Sequence, residues 1–116
     1  MTERPTFDLI TLLDRQRTFS ARTFGPGLRT KGISDHIRKE LDEIAKAPRD
    51  LEEWVDVIIL GIDGAWRTGA SSEEIAAAIA AKITKNENRK WPDWRTVGED
   101  KPIEHVRDGE TEAAHG

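Results

Sequence analysis

The sequence has no cysteine and no tyrosine, and aromatic residues make up only 6% of its 116 residues. Without cysteine, the chain forms neither disulfide bonds nor zinc sites with thiolate ligands. No stretch is long and apolar enough for a membrane span or a secretory signal, so we expect a cytoplasmic protein. Basic residues are not in excess, and the net charge of −4 argues against a broad DNA- or RNA-binding surface.

Charged residues make up 34% of the chain and hydrophobic residues 36%, a mixture typical of a soluble helical protein. A length of 116 residues suits one domain, although so small a core would gain from a second copy of the chain. We therefore expect one helical domain over residues 1–97. Residues 98–116 are expected to form a C-terminal extension that is disordered over its last nine residues.

The spacing of apolar residues predicts four helices in an all-α fold. On the first helix, Phe7, Ile10 and Leu13 form one stripe, and Thr6 or Asp8 is suited to cap its start. Asp50 and Ser71 begin capping-box patterns that predict the starts of the third and fourth helices. The predicted helices span about residues 6–17, 34–46, 51–68 and 75–89.

Between the first two helices, residues 19–32 lose the helical period and are predicted to form a loop. Gly25 and Pro26 interrupt the backbone in the middle of this segment. Ser34 and Asp35 would then start the second helix, because their side-chain oxygens can accept hydrogen bonds from free N–H groups. Composition favours a simple connector here, and the alternative is a lid over a substrate.

Two acidic pairs with i,i+3 spacing mark the second and third helices, and each pair lies on one helical face. An antiparallel fold-back at Pro48 would place Glu40 level with Asp56. It would also place Glu43 level with Glu53, about 4.5 Å away along the helix axes. Carboxylates in this arrangement suit two or more Mg²⁺ or Mn²⁺ ions, which prefer oxygen ligands and lie roughly 3.5–4 Å apart in paired catalytic sites. The competing interpretation is a solvated acidic face.

The third predicted helix, residues 51–68, is apolar around most of its circumference. We therefore expect it to be buried, either against a partner in a homo-oligomer or inside a four-helix monomer. Three acidic residues interrupt this helix, namely Glu53, Asp56 and Asp63. Each of them requires solvent, a charged partner or a metal ion, because a buried unpaired carboxylate is costly.

A polar, largely basic face lies near the end of the fourth helix. Lys82, Lys85, Asn86 and Arg89 recur there at helical spacing. The usual meaning of such a face is solvation, and the functional alternative is a clamp for phosphate oxygens. The following Trp91 is expected to pack at the helix end, with a stacking surface for a nucleobase as the alternative.

Beyond the acidic pairs, several segments carry a family resemblance: Ser20, Thr23–Gly25, Asp35–Leu41, Leu51–Asp56, Asp63–Arg67, Lys82, Asn86, Arg89 and Trp91–Trp94. The order Glu-x-x-Glu, a short gap and Glu-x-x-Asp resembles the metal-binding signature of the MazG-like all-α nucleoside triphosphate pyrophosphohydrolases. The wider pattern is similar to the dATP/dGTP diphosphohydrolase branch, which includes the phage MazZ enzymes. The resemblance spans roughly residues 17–107.

This resemblance implies a MazG-like helical bundle, completed by homo-oligomerisation as a dimer or tetramer, in the cytoplasm of a cell or of a phage host. It implies hydrolysis of dGTP, dATP or both to the monophosphate and pyrophosphate. The implied Mg²⁺ or Mn²⁺ ligands, also the catalytic residues, are Glu40, Glu43, Glu53 and Asp56. The candidate substrate-binding residues are Ser20, Thr23, Phe24, His36, Lys82, Lys85, Asn86, Arg89 and Trp91.

Under the leading hypothesis the protein controls a nucleotide pool, and it would supply dGMP in phages whose DNA contains 2-aminoadenine. The alternative is a noncatalytic helical module that binds metal or another protein. The basic face near four acidic residues favours the enzyme, since an adaptor has no need of both. Nucleic-acid binding is a third class, which the net negative charge disfavours.

Overall fold

The computed structural model describes residues 8–107, and these contain four α-helices, one short 3-10 helix and no strand. The predicted all-α class is therefore confirmed. Thr6, Phe7 and the last nine residues, about which the sequence also made predictions, lie outside the described residues. The helices are α1 (Leu9–Phe24), α2 (Thr30–Lys46), α3 (Leu51–Trp66) and α4 (Ser72–Glu87), with the 3-10 helix at Trp94–Thr96.

The chain divides into two compact units, one up to Ala78 and one from Ile79 onward. In the first unit α3 packs against both α2 and α1. The short connection at residues 47–50 folds α2 and α3 back as a hairpin, as predicted. Among the described residues of this unit, the buried apolar side chains are Leu13, Ile44 and Ile75.

Side-chain caps define three helix starts in agreement with the sequence. Asp8 accepts a hydrogen bond from the N–H of Ile10 at 3.0 Å, and Asp50 accepts one from the N–H of Glu52 at 3.1 Å. Ser71 and Glu74 form a reciprocal capping box, since each side chain accepts from the other's N–H at 3.1 Å. These bonds satisfy donors that a helix leaves free in its first turn.

The predicted long loop over residues 19–32 is wrong. Helix α1 continues to Phe24, so the connection to α2 is only residues 25–29. The helix ends at Gly25, which has a φ of 84° and donates its N–H to the carbonyl of Ala21 at 3.0 Å. Ser20 stays helical because its hydroxyl, fully buried, donates to Asp63 of α3.

Helix α2 also begins earlier than predicted, at Thr30 rather than near Ser34. Asp35 does not cap the helix, because this residue lies within α2 and not before its first turn. One oxygen accepts from Lys31 at 3.0 Å and the other from Arg38 at 2.7 Å. Two ion pairs along the helix surface thus replace the expected cap.

The expectation that α3 is buried is not met within one chain. Leu51 is 73% exposed and Ile58 is 59% exposed, while Trp54 is 48% exposed. The only buried residue of α3 is Asp63. In the described part of the chain, no helix is long and apolar enough to cross a membrane.

In the second unit, hydrogen bonds shape the segment that follows α4. The indole N–H of Trp91 donates to the carbonyl of Asn86 at 2.7 Å, which satisfies a free acceptor at the end of the helix. The ring of His105 packs edge-on against Trp91 with centroids 6.0 Å apart. The N–H of Val106 reaches the carbonyl of Lys90 at 2.7 Å, so residues 90–106 form a closed segment.

Candidate active site

The hairpin of α2 and α3 brings three acidic side chains together. Glu40, Glu53 and Asp56 each offer a carboxylate oxygen, and these oxygens lie within 4.8 Å of one another. We call these residues the acidic triad. The side chain of Glu40 is 13% exposed and Asp56 is open to solvent. Three negative charges this close repel one another strongly unless a cation or a proton joins them.

Burial and the neighbouring acidic residues both affect the pKa of Glu53. Partial burial raises the pKa of the Glu53 carboxyl above its ordinary value, and the adjacent Glu40 adds to the rise as hydrogen-bond partner and as like charge. Asp50 and Asp56 contribute smaller repulsions. The folded chain therefore favours the protonated form of Glu53 more than the unfolded chain does.

Two further side chains flank the acidic triad on α2. His36 lies one turn before Glu40, with Nε2 3.3 Å from Oε1. Glu43 is half-exposed and is not one of the triad. Its carboxylate lies 3.9 Å from the ammonium of Lys46. Of the four predicted ligands, the structure thus gathers three and leaves the fourth beside a lysine.

The acidic triad has the chemistry of a site for a hard divalent cation. Mg²⁺ and Mn²⁺ prefer carboxylate oxygens, and oxygens bound to Mg²⁺ at 2.0–2.1 Å lie at most about 4.2 Å apart. Small rotations of side chains now within 4.8 Å would bring them to that spacing. A bound cation would also relieve the repulsion that raises the pKa of Glu53.

A cleft of about 490 Å³ opens beside the acidic triad, between α1, α2 and α3. This volume is within the usual range for small-molecule sites. The polar residues that line it are Gln16, Arg29, His36, Glu40, Asp56 and Asp63. Of the described residues that line the cleft, Arg29 is the one lysine or arginine.

Acidic and aromatic residues both line the cleft. Asp56 and Asp63 both line it from α3, and seven residues of helix separate them by roughly 10 Å. The first lies at the acidic triad. Phe19 and Phe24 line the cleft from α1, with ring centroids 5.9 Å apart and ring planes at 88°. The cleft therefore combines a cation-attracting end with an aromatic surface.

Asp63, which lines the cleft, forms a buried ion pair with Arg67. The guanidinium Nε of Arg67 donates to Asp63 Oδ2 at 3.0 Å, and the two side chains are 1% and 10% exposed. Trp66 Nε1 donates to the other carboxylate oxygen at 2.8 Å, and the hydroxyl of Ser20 also donates to it. Burial opposes ionisation of Asp63, but the bonds from Ser20, Trp66 and Arg67, with the charge of Arg67, prevail and lower its pKa.

The same guanidinium fixes the connection between α1 and α2. Nη1 of Arg67 donates to the carbonyls of Gly25 at 2.9 Å and of Gly27 at 2.8 Å. Nη2 donates to the Ser20 hydroxyl at 3.0 Å. Both glycines have a positive φ, of 84° and 88°. Since Phe24 directly precedes this connection, Arg67 fixes the chain next to a residue that lines the cleft.

Comparison with known protein families shows which family the chain belongs to. The model of the dATP/dGTP pyrophosphohydrolase family matches residues 12–109, which is most of the chain. The chain belongs to this family. It is a nucleoside triphosphate pyrophosphohydrolase on an all-helical fold, and the resemblance to the MazG-like branch is consistent with the match. Neither a search of curated proteins nor a search of solved structures gave a match.

The structure places the residues that were predicted to bind substrate in different surroundings. Phe24 and His36 line the cleft, whereas Thr23 is exposed on α1 and is not part of its lining. Ser20 is buried, and its hydroxyl is engaged by Asp63 and Arg67.

The remaining predicted ligands of the pyrophosphohydrolase belong to the second unit. Lys82 and Lys85 are exposed on α4. Arg89 Nη1 donates to Asn86 Oδ1 at 3.2 Å, and Trp91 donates to the carbonyl of the same asparagine. These three residues therefore lie together at the end of α4. Their part in binding phosphate stays a prediction.

Several residues that line the cleft were not predicted from the sequence as site residues, among them Gln16, Phe19 and Arg29. They occur in segments without a motif, and only the packing of α1 beside the hairpin brings them to the site. The Asp63–Arg67 pair was also missed. Its signal was present, since an acidic residue on an apolar helix is followed at i+4 by an arginine.

Proposed function

We propose that this pyrophosphohydrolase converts dATP and dGTP to their monophosphates and pyrophosphate in a reaction that depends on Mg²⁺ or Mn²⁺. The observation that carries the proposal is the acidic triad at one end of the cleft. Triphosphates are polyanions, so a carboxylate cluster attracts them only through cations. The cleft volume of about 490 Å³ suits a small ligand of this class.

In this proposal Glu40, Glu53 and Asp56 would hold the metal, and Glu43, one turn further along α2, would contribute to a second ion. When bound, the ions neutralise phosphate charge and acidify a water molecule. A carboxylate of the triad that is not fully engaged accepts a proton from the attacking water. His36 supports the site by its contact of 3.3 Å with Glu40.

Cationic side chains would hold the phosphate oxygens that the metal leaves free. Arg29 lines the cleft and has no side-chain partner in the described chain, so its guanidinium is available for an anion. We propose the same anion-binding role for Lys82, Lys85 and Arg89, as their helical spacing predicts. Asn86 and Trp91 would support Arg89, because both contact it or its partner.

We also propose that the enzyme is a homo-oligomer. Leu51, Val55 and Ile58 follow one another at i+4 and i+3 on α3, and they are 73%, 36% and 59% exposed. An apolar stripe of this kind is typical of an interface between subunits. A second copy of the chain, as a dimer or part of a tetramer, is the occupant we expect.

The wider role that we propose is control of a purine deoxynucleotide pool. The resemblance to phage MazZ enzymes supports one particular setting, in which hydrolysis of dGTP supplies dGMP for phage DNA containing 2-aminoadenine. Both statements rest on analogy between family members rather than on the geometry of the cleft.

The proposal is tested with a panel of ribo- and deoxynucleoside triphosphates, each incubated with the protein and Mg²⁺ or Mn²⁺. Monophosphate and pyrophosphate are both quantified, with EDTA as the metal-free control. Equal amounts of the two products from dATP or dGTP are expected. Release of inorganic phosphate instead would place the cleavage at another bond. Inactivity on the whole panel would favour a noncatalytic metal-binding or interaction module.

A further inference from the structure

We propose that Gln16 contacts the purine base and that its amide is the group that admits both adenine and guanine. This inference rests on the proposed function, because it assigns the base of the same nucleotide to Gln16. The neighbouring Asp14 and Arg17 hydrogen-bond to Ser72 and Ala70, beyond the end of α3, whereas Asp56 of the acidic triad lies in the first half of that helix. Gln16 is half-buried on α1 and lines the cleft. Its amide makes no hydrogen bond with any other described residue of the chain, so it is available to a ligand.

The surroundings of Gln16 suit a flat aromatic ligand. Phe19 lies three residues later on α1, which places the two side chains next to each other on one face of the helix. The guanidinium carbon of Arg22 lies 5.9 Å from the centre of the Phe19 ring. The rings of Phe19 and Phe24 pack edge to face. Phe24 is 52% exposed, which leaves ring surface for a base. An aromatic wall and a free amide therefore occur together at this part of the cleft.

The chemistry of a primary amide explains how one residue can serve two purines. A glutamine side chain presents a carbonyl acceptor beside an NH₂ donor, and rotation by half a turn exchanges them. Guanine presents an acceptor at O6 beside a donor at N1, whereas adenine presents a donor at N6 beside an acceptor at N1. The amide matches guanine in one orientation and adenine in the other. Of the described residues that line the cleft, Gln16 alone carries such an amide.

The decisive variant is Gln16→Glu, because an ionised carboxylate only accepts hydrogen bonds. Guanine offers donors at N1 and N2, and each can donate to a carboxylate oxygen. Adenine has an acceptor at N1, which cannot form a hydrogen bond with a carboxylate oxygen. We expect the ratio of kcat/KM for dGTP to that for dATP to rise about tenfold, the size of one good paired contact. The added negative charge near a triphosphate lowers both values, and the ratio cancels that effect.

A second variant and a matched control separate base recognition from other effects. Gln16→Met keeps the size of the side chain and removes its hydrogen bonds, so kcat/KM should fall for both substrates by about tenfold. Arg15→Gln changes the charge by the same amount as Gln16→Glu at an exposed neighbouring position outside the cleft. The dGTP to dATP ratio should not change in this control. Circular dichroism confirms that each variant is helical.

Binding of the products without turnover provides an independent measurement. The dissociation constants of dGMP and dAMP, measured by calorimetry, should shift in Gln16→Glu in the same direction as the kinetic ratio. Ratios within twofold of wild type in both assays would overturn the role of Gln16. If the wild-type protein released no pyrophosphate, the proposed function would fail, and the monophosphate titrations would still decide whether Gln16 contacts the base.

Discussion

At the scale of single residues, the arrangement around Arg67 shows how an ionic group is accommodated inside so small a protein. A buried guanidinium is costly unless each of its donors finds an acceptor. Here Nε, Nη1 and Nη2 all donate, to Asp63, to two backbone carbonyls and to Ser20. The ring of Trp66 lies 4.4 Å from the guanidinium carbon and covers one face of it. Lysine has one ammonium group and cannot reproduce this fork.

Replacement of Arg67 by alanine should therefore destabilise the fold strongly. Asp63 would be left buried without its charge partner, which typically costs about 3–5 kcal/mol. Chemical denaturation gives the free energy of unfolding. Arg38→Ala is the control, because its ion pair with Asp35 is exposed and should contribute at most about 1 kcal/mol. Similar losses in the two variants would contradict the structural importance of the buried pair.

Because of Asp63, the free energy of unfolding should decrease at low pH. Its pKa is lower in the folded chain than in the unfolded one, so the ionised form stabilises the fold above the ordinary carboxyl pKa of about 3.9. This contribution is lost as the pH falls through the lowered value. Asp63→Asn should be less stable than wild type at neutral pH, and the difference should shrink on acidification. A constant difference across the titration would contradict this assignment.

Glu53 should have the opposite effect on the pH dependence of stability. Its pKa is raised, so the folded state binds a proton more tightly than the unfolded state and loses stability as the pH rises through the raised value. Without metal, Glu53→Gln should melt at a higher temperature than wild type at pH 7. Added Mn²⁺ should raise the melting temperature of wild type and have a smaller effect on the variant. Glu52→Gln, exposed and outside the acidic triad, should match wild type in both measurements.

Of the four acidic residues that the sequence predicted to lie together, the structure gathers Glu40, Glu53 and Asp56 and leaves Glu43 outside the cluster. The i,i+3 rule and the fold-back near Pro48 were enough to bring Glu40 close to Asp56. Side-chain rotamers decide which carboxylates then meet. Glu53 interacts with Glu40 rather than with Glu43. Side-chain rotamers depend on neighbours from other helices, which one-dimensional spacing does not specify.

At the scale of secondary-structure elements, the connection between α1 and α2 depends on glycine. Gly27 has a φ of 88°, and a Cβ added there would meet nothing within 4 Å. The cost of Gly27→Ala is therefore backbone strain alone, about 1–2 kcal/mol. Gly32→Ala, within α2 and equally free of contacts, should stabilise the helix by about 1 kcal/mol. Equal effects of the two substitutions on urea unfolding would contradict the assigned backbone conformation.

Helix boundaries at this connection were the part of the fold that sequence predicted least well. Local rules favoured a loop, because serine, threonine, glycine and proline are concentrated there. Tertiary contacts overrode them, since burial of Ser20 against Asp63 keeps α1 helical to Phe24. Where the signals were local, as in the capping box of Ser71 and Glu74, the prediction was confirmed.

At the scale of the whole molecule, the exposed apolar face of α3 is the feature that one chain does not account for. Ile58→Glu places a charge in the middle of this face, where Ile58 is 59% exposed. In a homo-oligomer the substitution should shift the protein to a smaller species, because a carboxylate is costly in an apolar interface. Light scattering after size exclusion measures the mass. A control substitution at exposed Glu73 on α4, Glu73→Gln, should leave the mass unchanged. A monomeric wild type would contradict the proposed assembly.

The fold class was predictable from the sequence because helical periodicity and caps are local, and the family was recognisable because its acidic motif has a fixed order. The cleft was not predictable. It forms where α1, α2 and α3 meet, from residues as distant along the chain as Gln16 and Asp63. No spacing rule relates such positions, so packing of the helices had to be seen first.

The central claim is that the acidic triad beside the cleft is the catalytic centre for release of pyrophosphate. The most direct test measures pyrophosphate from dGTP and dATP, with Mg²⁺ or Mn²⁺, for wild type, Glu40→Gln and Asp42→Asn. Asp42 is an exposed acidic neighbour on α2 outside the triad. We expect turnover by wild type and Asp42→Asn, and a rate about 10²–10³-fold lower for Glu40→Gln. Turnover by Glu40→Gln at the wild-type rate would contradict the claim.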